Sequence, residues 1–185
     1  MTKISLIDIG SNTIRLVLFE YTKKHGIKEI RNIKTPARLA QYIDDDGYMA
    51  EEGILALLKI LNSFKQISEK YHITNIYPVA TAAIRQSNNR DEIIERIKSE
   101  LDLDAKIISG AEEATLGFEA AVHTISYYDA VTIDIGGGST ELTFYEDKEI
   151  VYRTSLSFGV VTLNKMFLKV KTIMIKQQLN RQSNL

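Results

Sequence analysis

Leu6-Ile7-Asp8-Ile9-Gly10-Ser11-Asn12-Thr13 and Thr132-Ile133-Asp134-Ile135-Gly136-Gly137-Gly138-Ser139 are two versions of one pattern, set 126 positions apart (residue 8 to residue 134). In each, an apolar run ends on Asp-Ile-Gly, a short polar turn follows, and a second apolar run begins. β-branched runs on either side of a Gly/Ser/Asn turn read as a hairpin. Ile4–Ile9 and Ile14–Phe19 are expected to form the first hairpin. Val131–Ile135 and Thr140–Tyr145 form the second, with Ile150–Leu156 as a further strand. Two matched copies predict a duplicated architecture in which each half is built around one acidic hairpin.

A carboxylate at a strand end beside a tight turn sets an anionic ligand next to exposed backbone N–H groups. Such N–H groups bind phosphate oxygens, and the carboxylate holds the divalent ion that bridges to them. Asp8 and Asp134 are the candidate carboxylates. Glycine at 136, 137 and 138 lets backbone approach an anion without interference from a Cβ. Ser11, Asn12, Ser139 and Thr140 add side-chain donors. The plainer alternative is a pair of ordinary hairpins with aspartate caps. Neither turn is a P-loop, because the Gly spacing and the Lys before Ser are missing. Glu141, seven residues after Asp134, either faces it across the hairpin as a second metal ligand or points to solvent.

Between the hairpins the period changes. A third strand is expected at Lys28–Lys34, and Asp44-Asp45-Asp46-Gly47 reads as a solvated turn because the spacing of a calcium loop is absent. Ile54, Leu57, Leu58, Leu61 and Phe64 form one helical stripe. A buried strand is expected at Ile73–Ala80, a helix starting at Asn89-x-x-Glu92, a short strand at Ala105–Ile108 and a helix from Ser109 to about His123. Alternating strands and helices predict an α/β domain.

Ser109-x-x-Glu112 fits a capping box, which occupies Glu112 and leaves Glu113 free. Glu113 shares a helical face with Gly117, Ala120 and Ala121. It either serves as a base toward an attacking water or simply favours the helix dipole. Arg85 follows a buried strand, where α/β folds place ligands, and its guanidinium suits phosphate oxygens as well as a carboxylate partner. Arg15 faces either a partner carboxylate or phosphate. His25, His72 and His123 have no ligand spacing and are read as structural.

With 44% apolar and 25% charged residues among 185, and only ten Gly and two Pro, the chain is expected to be globular rather than disordered. A net charge of −1 predicts no bulk attraction for nucleic acid or membrane. The absence of Cys excludes disulfides, thiolate catalysis and Cys-ligated metals. The opening residues carry no signal-peptide pattern, and Ile54–Leu61, the longest apolar run, is broken by Lys59. A cytoplasmic location is therefore expected. The segment 160–185 has no Asp or Glu against Lys165, Lys169, Lys171, Lys176 and Arg181. The second half has few helices to cover its strands, so pairing of two copies into a homodimer is an expectation.

Asp8–Arg15, Ala80–Arg85, Ser109–Ala114 and Asp134–Glu141 occur in the same order as in the exopolyphosphatase/guanosine pentaphosphate phosphatases, and the chain resembles this Ppx/GppA family over roughly residues 3 to 168. The resemblance implies a ribonuclease-H-like α/β fold of the actin, Hsp70 and sugar kinase superfamily, with a first lobe at 1–125, an incomplete second lobe at 126–168 and an atypical basic tail at 169–185. It further implies Mg2+ as cofactor and hydrolysis of inorganic polyphosphate, or of guanosine pentaphosphate. By resemblance, Glu113 looks like the carboxylate that activates water, with Asp134, Glu141 and Asp8 at the metal. Arg85 and the turns, Thr13 and Arg15 included, look like phosphate binders. Ala111 stands where many relatives carry Glu. Family members are much longer, so the expected alternative is a shortened, weakly active or non-catalytic polyanion-binding fragment. A kinase of the same superfamily is a third reading, disfavoured because no acceptor-sugar or adenosine feature is seen.

Overall fold

A computed structural model describes residues 2–122, 129–147 and 149–167. His123, Lys169, Lys171, Lys176, Arg181 and the expected boundaries at 125/126 and 168/169 lie outside the described residues.

The first hairpin forms from β1 (Thr2–Ile9) and β2 (Thr13–Thr22), with Ile7 opposite Leu16 and Ile9 opposite Ile14. Alternation sorts the two faces. Ile7, Ile9, Ile14, Leu16 and Leu18 have no exposed surface, whereas Asp8 and Arg15 project from the opposite face. β3 (Gly26–Pro36) pairs with the outer side of β2. β4 (Ile76–Ala80) joins β1 in parallel, and the two-residue β5 (Lys106–Ile107) joins β4, giving the sheet order β3-β2-β1-β4-β5.

Pro78 sits within β4, a position that ordinarily excludes proline. Only Val79 and Ala80 pair with β5, so at Pro78 the strand has a neighbour on one side alone. The strand is also shorter than the apolar run Ile73–Ala80 predicts. Ile73 is buried, but its N–H goes to Ser68 O at the end of the preceding helix, so this residue fills the core from a turn.

Helices α1 (Glu51–Lys70) and α3 (Arg90–Leu101) supply the apolar stripes that close the core. Ile54, Leu57, Leu61, Ile93 and Ile97 join the buried faces of β1 and β2 in one cluster. The short α2 (Ala82–Arg85) turns directly out of β4 and carries Arg85. Asn89 stands at the N-cap of α3, but its side chain bonds both N–H and C=O of Met49 rather than the helix.

The second hairpin is β6 (Ala130–Ile135) with β7 (Thr140–Glu146), and β8 (Glu149–Leu156) completes a three-stranded antiparallel sheet. Helix α4 (Gly110–Val122) packs on this sheet. Phe118 packs on Tyr145 with tilted rings at 4.7 Å between centroids, and Thr143 Oγ1 donates to Ala114 O at 3.2 Å. The other face of the sheet bears exposed Val131, Ile133, Ile135, Phe144 and Tyr152. Helical backbone follows at 160–167. No helix among the described residues is long and apolar enough to cross a membrane.

Candidate active site

The two hairpin turns close in the same way. Gly10 N–H donates to Thr13 O at 3.2 Å, and Gly136 N–H donates to Ser139 O at 2.9 Å. Each turn is also held from behind through its carbonyls. Asn12 O accepts from Ala37 N and Arg38 N, and Ser11 O from Ala40 N. Gly136 O accepts from Val160 N, and Gly137 O from Val161 N. With the carbonyls turned away, the N–H groups of Ser11, Asn12, Gly137 and Gly138 find no backbone acceptor among the described residues.

The turns also touch one another. A Cβ on Gly138 would collide with Ser11 Oγ, and one on Gly137 would lie 3.4 Å from Asn12 N. At Gly138 the opposing turn, with Ala82, fills the space a side chain needs, and at Gly137 the fit is tight. Gln86 Nε2, just beyond α2, donates to Gly138 O at 3.4 Å and adds a third segment to the junction. Ser11 and Ser139 are buried, and the Thr140 hydroxyl is committed to Phe158 O at 2.8 Å.

The carboxylates gather beside this junction. Asp8 lies opposite Arg15 in the first hairpin, and Asp134 opposite Glu141 in the second. Asp8 keeps solvent contact, yet the protein around it displaces enough water to push its pKa above the ordinary carboxylate value. Arg15 opposes that rise, and the charge of Asp134 adds to it, so the two aspartates sense one another. Because Asp8 remains in contact with water, this effect is modest.

Glu141 is only 4% exposed, which removes the solvent-facing alternative, and its Oε1 accepts from Ser155 Oγ at 2.6 Å. Glu113, Gly117, Phe118, Thr132, Asp134 and Glu141 line a cavity of about 230 Å³ between α4 and the second sheet. Arg85 Nη1 donates to Glu113 Oε2 at 2.8 Å and to Ile108 O at 3.1 Å. Loss of water raises the Glu113 pKa, Arg85 pulls it back, and the charges of Glu141 and Asp8 raise it further. The start of α4 is fixed by a capping box. Ser109 N–H donates to Glu112 Oε2 at 2.7 Å, and Glu112 N–H to Ser109 Oγ at 3.1 Å. The Ser109 N–H bond, aided by Lys106, lowers the Glu112 pKa to about 2. That box sets the helical phase that aims Glu113 inward.

The site thus brings together Asp8, Arg15, Arg85, Glu113, Asp134, Glu141 and both turns. His25 and His72 lie in exposed turns away from it. Ser155, which holds Glu141, and Gln86, which reaches Gly138, were not singled out in the sequence. Counting the β7–β8 register places Ser155 opposite Glu141, a signal that needs the bulge at Phe144/Tyr145 to be known. Every donor here is oxygen, and no three carboxylates among the described residues form a ligand group on their own. Such a set fits magnesium, which takes one or two carboxylates and completes its shell with water and substrate phosphate oxygens.

Several known proteins are similar to this chain in sequence and in fold. The bifunctional 3-dehydroquinate synthase/phosphatase of Fusobacterium nucleatum is 33% identical over 170 residues, 87% of this chain and 26% of that protein. Exopolyphosphatase 1 of Mycobacterium bovis is 25% identical over 90% of this chain and 49% of its own length. The chain therefore spans about half, or less, of the curated relatives it matches. The crystal structure of an exopolyphosphatase from Cytophaga hutchinsonii superposes with a TM-score of 0.83 at 28% identity, covering 89% of this chain and 53% of that one. A Ppx/GppA protein from Aquifex aeolicus superposes with a TM-score of 0.74 at 27% identity, covering 90% and 54%. The fold is accordingly the ribonuclease-H-like α/β fold of the actin, Hsp70 and sugar kinase superfamily. The family match itself spans residues 17–184, past the point near residue 168 where the motif resemblance stops, and so the chain belongs to the Ppx/GppA phosphatase family.

Proposed function

We propose that this chain carries the catalytic residues of a metal-dependent phosphatase that removes the terminal phosphoryl group from inorganic polyphosphate, with guanosine pentaphosphate as the alternative substrate. The observation that supports the reading is the setting of Glu113. Its Oε2 is tied to Arg85, its basicity is raised by lost water and by neighbouring carboxylates, and it lines one cavity with Asp134 and Glu141. A positioned carboxylate with a raised pKa is a better proton acceptor at neutral pH than an ordinary one.

Glu113 Oε1 accepts a proton from water as the water oxygen attacks the terminal phosphorus. The bridging P–O bond breaks, and its electron pair leaves on the shortened chain. Arg85 fixes Glu113 and keeps its remaining N–H groups for phosphoryl oxygens. The turn amides of Ser11, Asn12, Gly137 and Gly138 take up negative charge on the same oxygens. Asp134 and Glu141 would hold magnesium, with Asp8 beside them, and Ser155 keeps Glu141 oriented. When bound, the ion supplies charge neutralisation on the transferring phosphoryl group.

Glu113→Gln keeps the shape and the acceptor for Arg85 while removing the base. Phosphate release from polyphosphate in Mg2+ is expected to fall on the order of 10²–10⁴-fold. An unchanged rate would refute the assignment. The uncovered apolar face of the second sheet favours one other reading, a polyanion-binding half that turns over poorly because positioning supplies most of the rate in phosphoryl transfer. Magnesium-dependent phosphate release by the purified chain, running as a single species on gel filtration, separates the two.

A further inference from the structure

A second cavity, of about 420 Å³, opens on the outer side of Arg85 and lies between the start of α4 and strand β8. Arg85, Gly110, Ala111, Arg153 and Ser155 contribute to its wall. Apart from the neutral amide of Gln86, its side chains are small or cationic, and no carboxylate among the described residues lines it. Arg153 makes no ion pair among the described residues, whereas Arg85 spends Nη1 on Glu113 and Ile108 O.

The strand register explains the position of Arg153. Ser155 is opposite Glu141 and Arg153 is opposite Thr143, so Arg153 shares the α4-facing side of the sheet with the residue that orients Glu141. Two residues along a strand is roughly 7 Å. Gly110 packs directly on Ser155, and Ala111 beside it is short, which leaves the path between the two guanidinium groups open. A phosphate group held at Arg85 therefore has a neighbouring cation within the same cavity for whatever is bonded to it.

We propose that this groove binds the phosphate groups that follow the terminal one in a linear polyphosphate, with Arg153 as their main cationic contact. Arg153 thus selects an extended phosphate chain over a single phosphate. This rests on the phosphatase reading, because it places the terminal group at Arg85 and Glu113. Guanidinium is suited to the task, since its fork contacts two oxygens at once and stays charged at every working pH.

The test uses the full chain carrying Glu113→Gln, so that ligand survives the measurement, with Mg2+ present. Affinities for orthophosphate, long-chain polyphosphate and guanosine pentaphosphate are measured by calorimetry with and without Arg153→Ala. The expected result is an affinity for polyphosphate that falls about tenfold more than the affinity for orthophosphate. Arg153→Lys is expected to recover part of the loss. An equal loss for orthophosphate and polyphosphate, or none for polyphosphate, overturns the proposal. A larger loss for guanosine pentaphosphate than for polyphosphate overturns the choice of a linear chain. The parent reading fails separately: a chain with unmutated Glu113 that binds polyphosphate through Arg153 yet releases no phosphate keeps the groove and removes the phosphatase. Active turnover with Arg153-independent binding does the reverse.

Discussion

Arg15 and Glu141 occupy one position in two equivalent hairpins, each directly across from the aspartate that begins the Asp-Ile-Gly run. The first hairpin therefore presents a carboxylate–guanidinium pair, and the second presents two carboxylates. This asymmetry makes the second hairpin the stronger cation site and leaves the first partly neutralised.

Arg15 lowers the Asp8 pKa against the rise caused by lost water and Asp134. Arg15→Met removes that restraint, so Asp8 becomes a weaker acid. The acidic limb of the rate profile for phosphate release is expected to move to higher pH, with the alkaline limb unmoved. A pH–rate series on the two proteins at saturating Mg2+ checks it, and coincident acidic limbs would contradict the pairing.

The raised pKa of Asp8 also has a consequence for folding. A carboxylate whose folded pKa lies above its unfolded one favours the folded state fully only below the unfolded pKa. That contribution is lost as pH rises through the folded value. At neutral pH the ionised Asp8 is therefore a cost in the absence of metal. Asp8→Asn is expected to unfold at a higher temperature than the parent at pH 7 without Mg2+, and the gap is expected to close as pH falls below about 4, the ordinary carboxylate range. Thermal unfolding at several pH values reads this directly. Phosphate release by the same variant should drop, separating a gain in stability from a loss of function.

Gly138→Ala places a methyl group on Ser11 Oγ, at a junction where both turns are pinned by backbone hydrogen bonds. Overpacking of this kind costs about 1–3 kcal/mol. A matching fall in urea midpoint, together with weaker orthophosphate binding, is expected. Ser11→Gly in the same chain should return most of both losses. If the double variant is as impaired as the single one, the contact between the turns is not the cause.

The strands, their faces and the hairpin register were legible because they depend on two-residue alternation and on turn chemistry, both local. Asp134 opposite Glu141 follows from counting across a four-residue turn. The capping box at Ser109 and Glu112 was legible for the same reason. What sequence left open was each long-range choice of partner. Arg85 suits phosphate and carboxylate equally, and only the placement of α4 against the second sheet gives it Glu113. Asn89 has the residue type and the place of a helix cap, yet Met49 takes its side chain. Apolar Ile73 looks like strand because burial in a turn and burial in a sheet select the same residues.

Contact between the turns at Gly137 and Gly138 ties the tips of the two sheets to one another. Because Ser11 and Asn12 sit against these glycines, bulk added on either side is felt by both hairpins at once, and neither loop is free to vary alone.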